Sequence, residues 1–319
     1  MKLGKIYELL VQEGIKADPR PKKQIDQYFL QKKKEYRSAV LKQKKFFDKD
    51  SFFNPYADTR ILHGDGNCEI KCILVGIDID TAEVVLAEQL SRRGRKIDLI
   101  LAHHPEGSAL AGLYDVMHMQ TDFLRNTGIE EGVANKLMKS RIDEVTRKLH
   151  SANHTRSVDT AKLLDIPMMC CHTPADNHVT TYLQKIMDKN KPKTLKHMID
   201  LLMQEPEYRD ATFNKAGPAI LIGKETDKAG RIFVDMTGGT EGSAKIFGRM
   251  SQLGIDTLLG MHYSEEHYKS IQAEYMNVVN AGHISSDNLG INLLLDKLVT
   301  KYNIEIIECS GFRRFSRCH

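Results

Sequence analysis

Residues 97–104, IDLILAHH, and residues 255–262, IDTLLGMH, are two versions of one phrase: a short aliphatic run that ends on histidine. A brief apolar run of this kind, flanked by polar residues, is the pattern of a strand buried on both faces of a sheet. Working outward, CHTPADN (171–177) returns as GHISSDN (282–288), again a strand end followed by His-x-x-x-Asp-Asn. The first pair is 158 residues apart and the second 111, and the difference of 47 matches extra helical material in the first copy. The simplest architecture is a duplicated α/β unit with a helical insertion at about 110–155.

The rest of the chain fits that unit. Strands are expected over 69–77, 97–102, 166–171, 219–222, 231–236, 255–259, 277–281 and 304–307. Helices are expected over 81–93, 243–253, 265–274 and 288–300, with a long helical stretch from about 110 to 165. Strands alternating with amphipathic helices predict sheets covered by helices on both faces, a three-layer α/β/α arrangement. Residues 1–57 read as a basic helical extension, in which Ile25, Tyr28, Phe29, Tyr36 and Val40 form one apolar stripe between lysines. The first half then spans 58–190, a linker 191–217, and the second half 218–319.

Charge and composition exclude several classes. Of 46 Lys+Arg and 42 Asp+Glu, the first fifty residues hold 14 and 7, so the basic excess is confined to that end. Tyr28, Phe29 and Tyr36 belong to that one apolar stripe and do not form the mixed aromatic and basic surface of a nucleic-acid platform, so a solvated opposite helix face is the simpler reading. Apolar runs are too short to cross a bilayer, and MKLGKIYELL lacks a secretory pattern. Six cysteines without CxxC spacing read as reduced thiols in a cytoplasmic protein.

In open α/β sheets, ligand sites lie beyond the carboxyl ends of the strands. The duplicated strand ends therefore point to one cleft. Its candidate metal ligands are His103, His104, Asp176, His283 and Asp287, imidazoles and carboxylates of the kind that hold Zn, Fe or Mn. Neighbouring rings at His103 and His104 are expected to face opposite ways, and His283 with Asp287 to meet across a tight turn before a helix opening at Asn288. His172, His262 and His267 are candidates to carry protons. The loop TGGTEG (237–242) can offer backbone amides to an anion, although it lacks the lysine of a phosphate loop.

IDLILAHHPE, HTPAD and GHISSD, with DTRILHG (58–64) before them, resemble the Nif-three-like dinuclear metal-centre family, many of whose members are labelled GTP cyclohydrolase I type 2. The resemblance covers roughly 56–300. It implies two pseudo-symmetric halves, a ring-like homo-hexamer, and two divalent metal ions held by His-His, His-Thr-x-x-Asp and Gly-His-x-x-Ser-Glu. Those motifs fall on His103 and His104, Asp176 and His283. Asp287 stands where the family has Glu and is one methylene shorter, which puts the bridging role of that position in question. The expected function is a metal-dependent hydrolase of a small phosphoester, nucleotide or cyclic amide. The competing reading is a non-catalytic ring that handles metal or serves as an adaptor.

Overall fold

The computed structural model describes residues 1–318, and its nine strands form two sheets with matching strand order. The first runs β1 (Arg60–His63), β4 (Met168–Cys170), β3 (Leu99–Ala102), β2 (Cys72–Gly76), β9 (Glu305–Cys309). The second runs β5 (Ala219–Ile222), β8 (Asn277–Asn280), β7 (Thr257–Gly260), β6 (Ile232–Asp235). In each, the leading strand is antiparallel and the rest parallel. The eight expected strands are present; β1, too short and mixed to announce itself, is the addition.

Duplication shows most clearly in the backbone. The amide of Leu3 bonds the carbonyl of Cys68, that of Gly4 the carbonyl of Gly66, and that of Ile70 the carbonyl of Met1. In the second half Leu195 bonds Asp227, Lys196 bonds Glu225, and Ala229 bonds Lys193 in the same pattern. Helix α1 (Leu3–Ala17) therefore has a counterpart in α11 (Leu195–Leu202). This alters two expectations. Residues 1–17 are not an appendage, because Leu3, Ile6, Leu10 and Val11 are fully buried against the first sheet. Residues 191–217 are not a loose linker, because α11 and α12 (Pro206–Phe213) place Leu195, Met198, Leu202 and Tyr208 in the second core. Of the expected N-terminal stripe only Ile25 is buried, on α2 (Lys22–Ser38); Val40, ahead of α3 (Leu41–Lys44), is exposed.

The halves are interlocked. Helix α10 (Thr173–Asn190), which follows the first sheet's β4, packs Val179, Leu183 and Met187 against Val234, Leu259 and Val279 of the second. Helix α15 (His283–Val299), which follows β8, packs Ile291, Leu294 and Leu295 against Ile73, Val75 and Leu101 of the first. The two helices cross where Gly290 meets Ala175: a Cβ on Gly290 would lie 2.5 Å from the Ala175 carbonyl oxygen. Outer faces are covered by α4 (Thr81–Arg92), α5 (Gly107–Ala111) and α9 (Arg156–Leu163) on the first sheet. On the second, α13 (Phe247–Gln252) and α14 (Glu265–Ala273) share that task with α7 (His118–Thr127) and α8 (Glu131–His150) of the insertion. The long helical stretch expected from about 110 to 165 consists of separate helices, α5 through α9, with α6 at Leu113–Val116. Gly128, at φ 110°, ends α7 in the left-handed conformation.

Candidate metal centre

Three strand ends and two helix starts converge on one point. His103 and His104 follow β3, His172 follows β4, and His283 opens α15 after β8. Asp176 and Asp287 each sit one helical turn past a histidine, on α10 and α15, so the i,i+4 spacing sets ring and carboxylate on one face. His283 and Asp287 therefore occupy successive turns of a helix that opens five residues before Asn288, not a tight turn ahead of it. Nor do the His103 and His104 rings part: beyond the end of β3 the strand alternation lapses, and their centroids are 5.2 Å apart.

The contacts among these groups centre on Asp287. Its Oδ1 is 3.4 Å from His103 Nε2, and its Oδ2 is 3.5 Å from both His104 Nε2 and His283 Nε2. Asp176 Oδ1 is 3.5 Å from His103 Nε2, and its Oδ2 is 3.6 Å from His172 Nε2. Such separations are long for hydrogen bonds, which are strongest below about 3.2 Å. They suit neighbouring ligands around a shared cation, since metal–ligand bonds of about 2.0–2.2 Å leave adjacent donor atoms about 3–3.5 Å apart.

Hydrogen-bond satisfaction gives the sharper test of fit. His103 Nε2, Asp176 Oδ1 and both carboxylate oxygens of Asp287 are buried with no hydrogen-bond partner. Buried carboxylate and imidazole atoms left unpaired are costly, so four together require another partner. Three overlapping sets of donors can hold a metal ion: His103, His104 and His172; His104, His283 and Asp287; His103, Asp176 and Asp287. The residues fit a metal. Asp287, despite its shorter side chain, turns one oxygen to each of two sets.

The outer contacts fix the histidine tautomers. His103 Nδ1 lies 3.2 Å from the Cys171 carbonyl, His104 Nδ1 2.7 Å from Asp78 Oδ1, and His172 Nδ1 2.9 Å from Asp58 Oδ2. With Nδ1–H donated to these acceptors, each Nε2 lone pair faces the cluster, the arrangement second-shell partners impose on metal-binding histidines. Asp58 also accepts from the Thr173 hydroxyl and is itself buried. Neither Asp58 nor Asp78 was expected from the sequence. Asp58 stands just ahead of β1, and because β1 runs antiparallel to β4 its start lies beside the end of β4 where His172 emerges.

Electrostatics follow from burial and crowding. Burial opposes charge on His172, but the Asp176 charge and the Asp58 hydrogen bond outweigh it and lift the imidazole to about 9. Burial pushes Asp176 up to about 6, against the pull of His172 and His103. Asp287 is buried too, yet the surrounding imidazoles, His103 foremost, hold its carboxyl well below the usual range. Burial brings His283 down to about 4. Cys170 and Cys171 are fully buried beside the cluster, and burial pushes the Cys170 thiol up to about 12 and Cys171 well above its ordinary value, so both stay protonated.

A narrow cleft adjoins the cluster, lined by His172, Asp176, His283 and, from the second half, Asp235, Glu241 and His262. His262 lies with its ring 4.7 Å from that of His283 and its Nδ1 3.3 Å from Glu241 Oε1. His267 borders the same cleft, but its Nδ1 is 2.7 Å from the Ser264 hydroxyl and its Nε2 3.2 Å from the Gly242 carbonyl, so both ring nitrogens are occupied in securing the start of α14. His172 stands among the metal-competent donors. The TGGTEG loop forms one wall: Gln120 of the insertion donates to the carbonyls of Gly238 and Thr240, and Arg141 to that of Glu241. The loop does not open an α-helix directly: a short 3-10 turn, Ala244–Ile246, stands between it and α13.

No protein-family model and no curated protein matches the sequence. Among solved structures, the chain is similar to a NIF3 superfamily protein from Sphaerobacter thermophilus at 26% identity and a TM-score of 0.69, over 80% of this chain and 91% of that one. Reduced HcgD from Methanocaldococcus jannaschii aligns at 15% identity and a TM-score of 0.48, over 78% and 87% of the two chains. A Bacillus cereus protein related to NIF3 aligns at 14% and 0.41, over 79% and 90%. The duplicated three-layer fold and the first of these likenesses mark the chain as similar to the NIF3 superfamily.

Proposed function

We propose that the chain is a metal-dependent hydrolase in which His103, His104, His172, Asp176, His283 and Asp287 would hold two divalent cations, Asp287 being common to two of the donor sets. The observation that carries this reading is the set of buried, unpartnered donor atoms on His103, Asp176 and Asp287. When bound, a pair of such cations supplies an acidified water and Lewis acidity toward a phosphoryl or carbonyl oxygen. The protein's own residues do the rest. Asp58, Asp78 and the Cys171 carbonyl hold the three imidazoles of the first half in the ligand tautomer. Glu241, kept ionised by His262 and His267 against the effect of burial, orients His262 so that its Nε2 can pass a proton to or from a substrate in the cleft. Asp235, lifted to about 6 by burial, is a second group able to hold a proton there.

The substrate class is a small phosphoester, nucleotide or cyclic amide, matched to the narrow cleft. The resemblance further supports a homo-hexamer, to be read by analytical ultracentrifugation. Six free thiols support a reducing, cytoplasmic setting, and among the described residues no helix is long and apolar enough to cross a membrane. The test is a turnover screen of phosphomonoesters, phosphodiesters and cyclic amides with Zn(II), Mn(II) and Fe(II). Wild-type protein should turn over one of these classes, and His262→Ala should lower kcat while leaving metal content unchanged. Metal-loaded protein inert toward all of them would remove the hydrolase reading and leave a metal-handling or adaptor role.

A further inference from the structure

The two sheets differ at one place. In the first, the outer edge of β2 is covered by β9, which pairs with it in parallel, Cys72 opposite Glu305 through Gly76 opposite Cys309. In the second, β6 is the counterpart of β2, and among the described residues its outer edge has no strand beside it. A groove of about 1280 Å³ runs along that edge, between β6 and α10. At its floor the side chain of Gln184 takes the place of a neighbouring strand: its Oε1 accepts from the Val234 amide at 3.0 Å, and its Nε2 lies 3.4 Å from the Ile232 carbonyl. An amide side chain satisfies only one residue's worth of a ladder, whereas β9 satisfies a whole edge.

The groove is cationic on balance, with Asp188 and Asp235 the two carboxylates in its lining. Lys185, Lys191, Lys193, Lys228 and Arg231 line it and are exposed, and among the described residues none of them is paired with a carboxylate. Lysines along an edge repel strands of like charge and are a common guard against indiscriminate pairing. The same charges select for an acidic strand. Half-buried Ile232 and Phe233 supply apolar surface between them. The register of the first sheet carries over. Cys72 corresponds to Arg231, since each amide bonds the carboxylate of an equivalent aspartate, Asp98 and Asp256. A strand placed as β9 is placed would set its residue equivalent to Glu305 beside Arg231.

We propose that this groove binds an extended acidic peptide segment of a partner protein, which adds in parallel to the free edge of β6 as β9 adds to β2. This is strand addition: backbone pairing gives affinity, and alternate side chains give selectivity. The groove meets the proposed hydrolysis cleft at Asp235 and Thr237, but the binding argued here does not depend on that activity.

The chain's own β9 supplies a probe. A fluorescein-labelled peptide with the sequence of residues 303–311, serine replacing Cys309, carries the two glutamates and the β pattern. Its binding to the full-length protein is followed by fluorescence anisotropy. A second peptide has lysines in place of both glutamates. The acidic peptide should bind, and the basic one at least about tenfold more weakly, as like-charge juxtaposition demands. Lys185→Glu/Lys193→Glu should cost a similar factor, and backbone amide exchange over 231–235 should slow in the complex. Gln184→Ala, which frees the Val234 amide for an incoming strand, should strengthen binding; weakening or no change would mean that the strand does not pair with β6. Equal binding of both peptides, or no binding of the acidic one, would overturn the proposal. So would binding of a single-stranded oligonucleotide at these lysines without peptide binding.

Discussion

His172 shows how much one hydrogen bond decides at this site. Asp58 takes the Nδ1 proton, Asp176 faces Nε2, and together they raise the imidazole to about 9 in the metal-free protein. At pH 7 the ring therefore carries a proton that a metal must displace, because a ligating imidazole is neutral. Metal affinity should rise with pH and level off above about 9. Calorimetric titration with Zn(II) at pH 7, in two buffers of different ionisation heat, should show net proton release; its absence would mean that His172 stays outside the ligand set. Asp58→Asn removes the charge that holds the ring, and metal affinity should fall by about 10–100-fold, the usual cost of losing a second-shell carboxylate. Circular dichroism should show the fold intact. At this scale the five candidate ligands were legible because His103 and His104 end an aliphatic strand and the other three fall in the repeated His-x-x-x-Asp-Asn segments; the structure brings all five together. Asp58 was not. It lies 114 residues from His172, and only the antiparallel pairing of β1 with β4, which no local pattern announces, brings the two together.

At the scale of elements, the site depends on the crossing of α10 and α15, since each helix carries one carboxylate of the pair. That crossing is close because Gly290 has no side chain. Gly290→Ala would drive a methyl against the Ala175 carbonyl, a backbone atom that cannot step aside without moving α10. Overpacking of this kind costs about 1–3 kcal/mol, to be read from urea denaturation, and it should weaken metal binding as well, because Asp176 is one residue from the contact. Stability unchanged by the substitution would mean that the helices separate easily. The C-terminal segment fastens the same helix from behind: Arg314 pairs with Asp296, and Arg317 with Glu205 and buried Glu207. Sequence alone does not reveal this role for residues 311–318, because the carboxylates they meet lie on α12, the preceding turn and α15. Strands were easier to read than helices here. Each buried strand is a short aliphatic run, whereas the kinship of α1 and α11 survives in backbone hydrogen bonds and not in side chains.

The whole molecule is two copies of one unit that have exchanged parts. The helix after β4 covers the second sheet, the helix after β8 covers the first, β9 returns to the first sheet, and the insertion of the first half closes the outer face of the second. Neither half retains a complete core alone. Thermal unfolding followed by calorimetry should show a single cooperative transition, with the van't Hoff and calorimetric enthalpies in agreement; two resolved transitions would contradict the interlocked description. The exchange also explains why the candidate metal centre draws on both halves at once, with His103, His104, His172 and Asp176 from one and His283 and Asp287 from the other.

The measurement that bears most directly on this centre is metal content per chain, by elemental mass spectrometry, on protein purified without chelator and reloaded with Zn(II), Mn(II) or Fe(II). Wild type should hold about two equivalents, as a bridged pair requires. His283→Ala should keep roughly one, since His103, Asp176 and one Asp287 oxygen remain, whereas Asp287→Ala should fall below one. Wild-type protein that holds less than about half an equivalent under every metal, unchanged by either substitution, would contradict the site.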